Sequence, residues 1–251
     1  MSPSLSAVII TLNEEKNIED CVRSVSFCDE VILIDSGSTD GTVPLAEKLG
    51  AKIWRRSFDH FAAQKNFGIS KASGEWVLLV DADERVSDGL KGEIKDKIPR
   101  GLAEGYYFPR INRIFGRWMR HGENANDYQL RLAKRQKAVF TGPVHERVEL
   151  SGKTERMKNP LLHHSTPSVS AYMGKLNSYT ALEAKRREGK PIPRIGDLLS
   201  RPLLKFMSLT FLKRGFMDGL EGFIFSALSA YYDFVSLAKH WEKKQERVSE
   251  R

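Results

Sequence analysis

Cysteine is scarce in this chain of 251 residues, which contains only Cys21 and Cys28. Two cysteines exclude a small scaffold that is held together by disulfides. A structural zinc site would need a second Cys/His pair at a matching spacing, and these two residues lack one. We therefore expect both to be ordinary thiols in a reducing compartment.

Long hydrophobic runs are also missing. The apolar run at residues 222–232 has eleven residues, whereas a membrane-spanning helix needs about 20. The first thirteen residues lack the basic region of a signal peptide and lead directly into a strand-like stretch. We therefore expect neither a spanning helix nor a signal peptide, and a cytoplasmic protein.

Repeats and low-complexity tracts are absent, and the hydrophobic (41%) and charged (29%) fractions are typical of a soluble globular protein. The length predicts one or two domains. Lys and Arg outnumber Asp and Glu by 40 to 32, which gives a formal net charge of +8. Such an excess is typical of proteins that bind nucleic acid, an anionic membrane or a phosphorylated substrate, and composition does not choose among them.

Short apolar strands alternate with helices in the first hundred residues. Apolar runs predict strands at 6–10, 30–34, 51–54 and 75–80. Helical spacing of apolar residues predicts helices at 14–24, 42–49 and 60–72. This alternation predicts βαβ units and a parallel sheet. Further along, strand-like runs occur at 106–109, 129–132 and 138–140, and helical patterns at 168–185 and 201–244.

Acidic or amide residues follow three of these strands, namely Asn13-Glu14, Asp35 and Asp81-Ala-Asp83. In open parallel sheets, ligands bind at the carboxyl ends of the strands. Two carboxylates one residue apart can hold a divalent cation that bridges the phosphates of a nucleoside diphosphate. The alternative is a solvated acidic turn. Likewise, Asp35 can bind a ribose or uracil edge or form a capped turn with Asp40, which we expect to be structural.

Four motifs occur in an order and spacing that resemble the donor half of a family 2 glycosyltransferase. They are Thr11-Leu-Asn-Glu14, Asp35-Ser-Gly-Ser-Thr-Asp-Gly41, Gln64-Lys-Asn-Phe-Gly68 and Val80-Asp-Ala-Asp-Glu84. Segments 110–117, 127–132, 144–146, 162–163 and 215–219 resemble the lipopolysaccharide core heptose β-1,4-glucosyltransferases. The resemblance spans nearly the whole chain. One departure is Leu12, which cannot stack on uracil as the aromatic ring common in the family would.

The resemblance implies an α/β protein with the GT-A fold, in which a Rossmann-like, mostly parallel sheet is flanked by helices. We expect a catalytic domain at 1–165, with a nucleotide-sugar-binding half at 1–100 and an acceptor half at 101–165. A C-terminal amphipathic helical extension is expected at 166–251. Its many aromatic residues are bordered by basic ones, a pattern that suits an anionic membrane interface. The alternative is packing on the donor domain or on a second copy in a homo-oligomer.

The implied reaction is an inverting transfer of a hexose, with glucose from UDP-glucose expected, to a lipopolysaccharide inner-core sugar, with heptose expected. Mg²⁺ or Mn²⁺ would assist, and the enzyme would lie on the cytoplasmic face of the bacterial inner membrane. The alternatives are a different acceptor (a protein or another cell-surface glycan) or a non-catalytic membrane-associated scaffold. A nucleic-acid partner is not expected, because that function has no use for Asp81-Ala-Asp83.

The resemblance implies a role in the site for several residues of the matching motifs. The nucleotide-sugar site would comprise Thr11, Asn13, Glu14, Asp35, Ser36, Gly37, Lys65, Asn66, Asp81, Ala82, Arg131 and His145. Asp83 would be the principal metal ligand, with Asp81 and His163 as further ligands, although His163 could be structural. Arg131 would support the diphosphate or pair with an acid. Glu146 is the first candidate for the general base, Asp127 the second and Glu84 a third, and Glu146 could instead form a salt bridge.

Overall fold

The structure is a computed structural model that describes residues 3–142 and 147–249. The chain divides into two compact units, a sheet unit of Met1–Ile111 and Asn126–His163 and a helical unit of Asn112–Ala125 and His164–Arg251. Residues 112–125 therefore belong to the helical unit although they interrupt the sheet unit in sequence. The predicted domain boundary at residue 165 stays a prediction.

The first half of the sheet unit follows the predicted alternation. Its elements are β1 (Leu5–Thr11), α1 (Glu15–Ser24), β2 (Glu30–Asp35), α2 (Thr42–Lys48), β3 (Lys52–Arg55), α3 (Phe61–Lys71), β4 (Trp76–Asp81), β5 (Glu84–Val86) and α4 (Asp88–Arg100). Four strands pair in parallel in the order β3-β2-β1-β4. This pairing confirms the predicted α/β class. Helix α4 is not among the predicted helices, although Leu90, Ile94 and Ile98 are buried at every fourth position.

The second half of the sheet unit is mainly antiparallel. The remaining strands of the chain are β6 (Gly105–Ile114), β7 (Arg117–Met119), β8 (Tyr128–Lys134), β9 (Ala138–Thr141), β10 (Arg147–Leu150), β11 (Thr154–Arg156) and β12 (Leu161–Thr166). Of these, β7 belongs to the helical unit, and the last residues of β6 and β12 extend into it. β8 pairs antiparallel with both β4 and β6. β12 pairs antiparallel with β5, and β9 with β10. Through β8 and β12, residues that are far apart in sequence reach the end of β4.

The parallel strands β1, β2 and β4 are largely buried on both faces, which explains their continuous apolar runs, whereas the edge strand β3 is mostly exposed. All seven residues of β1 are buried. Ile18, Cys21 and Val22 of α1 lie in the cluster on one face, while Ala62 and Ile69 of α3 lie on the other. Both cysteines are free, and burial raises the pKa of both thiols, that of Cys28 to about 12. Thiols with raised pKa values are poor nucleophiles.

The helical unit consists mainly of α5 (Val169–Arg186), α6 (Ile195–Met207) and α7 (Gly219–Ser249). The prediction of a continuous helix at 201–244 is wrong, because a π-helical turn at Ser208–Leu212 and a 3-10 turn at Gly215–Asp218 separate α6 from α7. Asp218 accepts hydrogen bonds from the backbone N–H groups of Arg120 and His121. In the described parts of the chain, no helix combines the length and apolar character that membrane crossing requires.

Replacement of Gly68 by alanine should destabilise the protein. A Cβ at Gly68 of α3 would lie 2.3 Å from Val8 Cγ1 and 3.1 Å from Ile34 Cγ1, both in the core. We expect Gly68→Ala to lower the free energy of unfolding by about 1–3 kcal/mol, because overpacking outweighs the gain in helix propensity.

Gly92→Ala is the matched control, since Gly92 lies in α4 and a Cβ there would meet nothing within 4 Å. It should raise stability by up to about 1 kcal/mol. Urea unfolding measures both variants. Equal effects of the two substitutions would contradict the close packing of α3 on the sheet.

Candidate functional site

The carboxyl ends of β1, β2 and β4 lie side by side in the sheet unit. Thr11 is paired with Asp35 across β1 and β2, and Ile10 is paired with Asp81 across β1 and β4. The structure therefore brings together the three strand ends that the sequence marked with polar residues. This edge of the sheet is where open parallel sheets bind ligands.

Two loops leave this edge, and their polar side chains bind the loop backbone. The buried carboxylate of Asp35 accepts hydrogen bonds of 3.1 Å from the N–H groups of Gly37 and Ser38. Gly37 has a φ of +102°, which favours glycine. Asn13 Oδ1 accepts from the Thr39 N–H at 2.9 Å, which joins the loop after β1 to the loop after β2. Asp35 and Asn13 thus shape the pocket that they are predicted to line.

Other predicted residues of this pocket are also held in place. The Glu14 N–H donates to Thr42 Oγ1, and the Ser36 N–H donates to the Thr11 carbonyl. By contrast, the Thr11 hydroxyl is buried and has no hydrogen-bond partner among the described residues. A buried hydroxyl without a partner is unfavourable, so this atom fits a position where a bound ligand completes the hydrogen bonding.

A buried cation lies at the end of β4. Arg131 of β8 places Nη2 at 2.5 Å from Asp81 Oδ2 and at 2.5 Å from Glu84 Oε1. Lys65 of α3 is also buried, and its Nζ lies 3.5 Å from Asp81 Oδ1. Arg131 therefore pairs with acids, which was one of the two roles considered for it. Two buried cations from different elements surround one carboxylate.

The pKa values of the two acids beside Arg131 shift in opposite directions. Burial alone would raise the pKa of Asp81, but the charges of Arg131 and Lys65 outweigh it and hold this pKa well below its usual range. Glu84 is fully buried, and burial together with the Asp81 charge raises its pKa in spite of Arg131. Burial would lower the pKa of Arg131, but Asp81 and Glu84 raise it further. Asp81 and Arg131 are thus charged at neutral pH.

Asp83 faces a histidine from a distant strand. The pairing of β5 with β12 places His163 opposite Glu84, and His163 Nε2 lies 3.1 Å from Asp83 Oδ2. The two side chains are 15% and 27% exposed, respectively, so both remain accessible to a ligand. A carboxylate oxygen and an imidazole nitrogen at this distance can ligate one cation together.

These donors fit a divalent cation that is shared with a substrate. Among the described residues, no group of three or more His, Cys, Asp and Glu side chains forms a metal site. Mg²⁺ is usually held by one or two carboxylates together with substrate phosphates rather than by a complete protein cage. Asp83 fits this pattern, and the His163 nitrogen is compatible with a transition metal such as Mn²⁺. Asp81 is directed to Arg131 and Lys65.

The candidates for the general base differ in what the structure shows of them. Glu146 and His145 lie outside the described residues. Asp127 accepts a hydrogen bond of 2.7 Å from Arg110 Nε and one of 2.6 Å from Gln129 Nε2. Glu84 is fully buried and ion-paired, which argues against contact with an acceptor. Asp127 is thus already engaged by two side chains, while its carboxylate retains further acceptor positions.

Some residues near the site have structural partners that the sequence did not reveal. Asn66 donates to the Phe140 carbonyl and accepts from the Phe140 N–H, so its amide anchors β9 to α3. Lys65 lies 5.6 Å from the centre of the Phe140 ring. Ala82 is buried behind the acidic turn. Arg110 contacts both Glu84 and Asp127, a role that was not predicted. Its signal in the sequence is a basic residue at the end of an apolar run.

Comparisons with known proteins cover most of the chain. A family model described as Glycosyl transferase family 2 matches residues 6–172. The lipopolysaccharide core biosynthesis glycosyltransferase LpsC of Rhizobium meliloti is 32% identical, over 95% of this chain and 92% of that protein. An uncharacterized glycosyltransferase of Rickettsia conorii is 30% identical, over 95% of this chain and 90% of that protein. The protein in the structure of S. aureus TarS 1–349 in complex with UDP-GlcNAc is 14% identical in sequence. The match covers 97% of this chain and 92% of that chain, with a TM-score of 0.49.

Removal of the Arg131 charge should destabilise the protein strongly. Arg131→Met would leave the carboxylates of Asp81 and Glu84 without their shared partner in a buried position. We expect a loss of about 3–5 kcal/mol in the free energy of unfolding, as for other buried ion pairs that lose one member.

Arg100→Met is the control, because Arg100 pairs with Asp96 within α4 and both side chains are more than half exposed. An exposed pair of this kind contributes about 0.3–0.5 kcal/mol. Urea unfolding at neutral pH compares the two variants. If Arg131→Met were no more harmful than Arg100→Met, the Arg131 network would not have the role assigned to it.

Proposed function

The chain belongs to glycosyltransferase family 2, and we propose that it transfers glucose from UDP-glucose to a heptose of the lipopolysaccharide inner core, with inversion at the anomeric carbon. The observation that carries the proposal is the edge of the sheet where polar residues of three neighbouring strands meet. Thr11 lies opposite Asp35 there, and Asp81 lies opposite Ile10, the residue before Thr11. The 32% identity to a protein named as a lipopolysaccharide core biosynthesis glycosyltransferase supports the acceptor class.

The donor would be held by groups that the fold fixes in advance. The nucleoside would lie against the loops that Asp35 and Asn13 organise, where the buried Thr11 hydroxyl has no partner among the described residues. Asp81 would stay ionised beside Arg131 and would accept hydrogen bonds from hydroxyl groups of the bound UDP-sugar. Preorganised charges of this kind need no reorganisation during the reaction.

The leaving diphosphate would lie near Asp83. Asp83 and His163 would hold Mg²⁺ or Mn²⁺, which when bound offsets the charge on the diphosphate. The acceptor hydroxyl oxygen forms a bond to the anomeric carbon while the bond from that carbon to the phosphate oxygen breaks. The hydroxyl proton passes to a carboxylate, with Glu146 as the first candidate and Asp127 as the second. Because the acceptor is lipid-linked, we place the enzyme at the cytoplasmic face of the inner membrane.

The donor and metal requirements can be tested by UDP release from a panel of UDP-sugars with Mn²⁺, Mg²⁺ or EDTA. We expect slow hydrolysis of UDP-glucose that depends on metal and accelerates with truncated lipopolysaccharide. Asp83→Asn should lower both rates about 100-fold or more, because a fixed charge at the diphosphate site is lost.

Asp88→Asn is the control, since Asp88 is exposed in the first turn of α4 and undergoes the same change of charge. Binding of Mn²⁺ in the presence of UDP provides a second readout, which should weaken only in Asp83→Asn. If EDTA did not change the rate of UDP release, the metal assignment would be overturned. A lack of release with every sugar, both with and without lipopolysaccharide, would overturn the proposed reaction.

The identity of the base can be tested with isosteric amides. Glu146→Gln should bind UDP-glucose normally and lower the rate of transfer about 10²–10⁴-fold, since it retains shape and loses the proton acceptor. Asp127→Asn should have a smaller effect, because Arg110 and Gln129 already engage this carboxylate. Transfer assays and donor binding are measured on the same preparations. Normal transfer by Glu146→Gln together with an inactive Asp127→Asn would move the assignment to Asp127.

A further inference from the structure

Helix α6 of the helical unit leaves a row of apolar side chains exposed. None of its thirteen residues is buried. Its outward side carries five large apolar residues that are between 46% and 78% exposed, namely Ile195, Leu199, Leu203, Leu204 and Met207. Its other side leans on α7, where the Phe206 and Phe223 rings meet edge to face at 5.4 Å. The exposed row is therefore not needed for packing within this unit.

The chain continues in the same manner beyond α6. Leu212 in the π-helical turn is 82% exposed, and Phe211, Phe216, Met217 and Leu220 are at least half exposed. Single exposed apolar residues are common on soluble proteins, but dense groups of them mark sites of interaction with proteins or membranes. A partner should therefore cover the surface formed by α6 and the turn that follows it.

The positive charge of this segment favours an anionic lipid surface over a second copy of the chain as the partner. Residues 185–214 contain nine Lys and Arg against two Asp and Glu, a net charge of +7, whereas the whole chain carries +8. A second copy of the chain on this surface would bring two such segments together, and like charges at an interface are unfavourable. A surface of anionic phospholipid attracts basic segments and accepts apolar side chains between its headgroups.

We propose that α6 lies in the plane of an anionic phospholipid bilayer, with Ile195, Leu199 and Leu203 directed toward the acyl chains. Thirteen residues form a helix of about 20 Å, which is shorter than the hydrocarbon core of about 30 Å, so α6 lies flat. Arg187, Arg201 and Lys205 are ion-paired with acids. The headgroups would therefore be contacted by other, exposed basic residues of 185–214, such as Lys190, Lys213 and Arg214. This inference rests on the proposed function for its purpose, since a lipid-linked acceptor must be met at a membrane.

Vesicle flotation of the full chain tests the proposal. Vesicles of phosphatidylcholine are compared with vesicles that contain about 30% phosphatidylglycerol, an anionic lipid. We expect binding to be roughly tenfold tighter to the anionic vesicles and to weaken when the salt concentration is raised from about 0.05 M to about 0.5 M. Equal binding to both vesicle types would overturn the anionic specificity.

The variant Leu199→Glu/Leu203→Glu tests the surface itself. It should reduce binding to anionic vesicles roughly tenfold or more, since a charged side chain cannot enter the acyl boundary. Leu102→Glu is the matched control, because Leu102 is a similarly exposed leucine in the sheet unit. Circular dichroism checks that both variants are folded. Binding by the double variant at the level of the unchanged protein would overturn the proposal.

Two further measurements keep the outcomes separate. Hydrolysis of UDP-glucose in solution should be the same in both leucine variants, so a failure of the proposed function would be seen as absent hydrolysis with vesicle binding intact. Sedimentation measures the oligomeric state. A dimer that dissociates in Leu199→Glu/Leu203→Glu, in a protein that binds no vesicles, would show that a second copy covers this surface and would overturn the membrane assignment.

Discussion

The ion pair between Arg131 and the carboxylates of Asp81 and Glu84 is the interaction on which the rest of the site depends. Parallel strands end at one edge of the sheet, so acidic residues that follow them are crowded there. Burial of such carboxylates without cations would be very unfavourable. The fold meets this constraint by pairing the antiparallel strand β8 with β4, which places Arg131 at the crowded edge.

Asp81 and Asp83 of the acidic turn thereby differ in their chemistry, although only one residue lies between them. Asp81 is held by two buried cations and stays ionised. Asp83 is partly exposed and faces the ring of His163. One acid thus serves as a fixed charge, whereas the other can exchange a hydrogen-bond partner for a ligand. The pairing of β12 with β5 creates this difference.

The donor half could be predicted from the sequence because its signals are local. Strands such as β1 and β4 are buried on both faces and so consist of continuous apolar runs, and the polar residues that follow them mark the strand ends. Even α4 had a local signal in Leu90, Ile94 and Ile98. The partners of Arg131 could not be predicted, because they depend on the pairing of strands about 50 residues apart. The interruption at 208–218 has the same origin, since Asp218 bonds to backbone groups at 120 and 121.

The origin of the helical unit in two separate segments has a consequence for synthesis on the ribosome. Residues 112–125 belong to this unit, but His121 precedes its partner Asp218 by 97 positions. At about 5–20 residues per second, the early segment waits on the order of 5–20 s before Asp218 has been translated. During that interval the backbone N–H groups at 120 and 121 bind water or other groups, because the carboxylate that accepts from them in the folded protein has not yet been made. Translation order therefore makes the helical unit the last to be completed, and a protein truncated before residue 218 would lack this acceptor permanently.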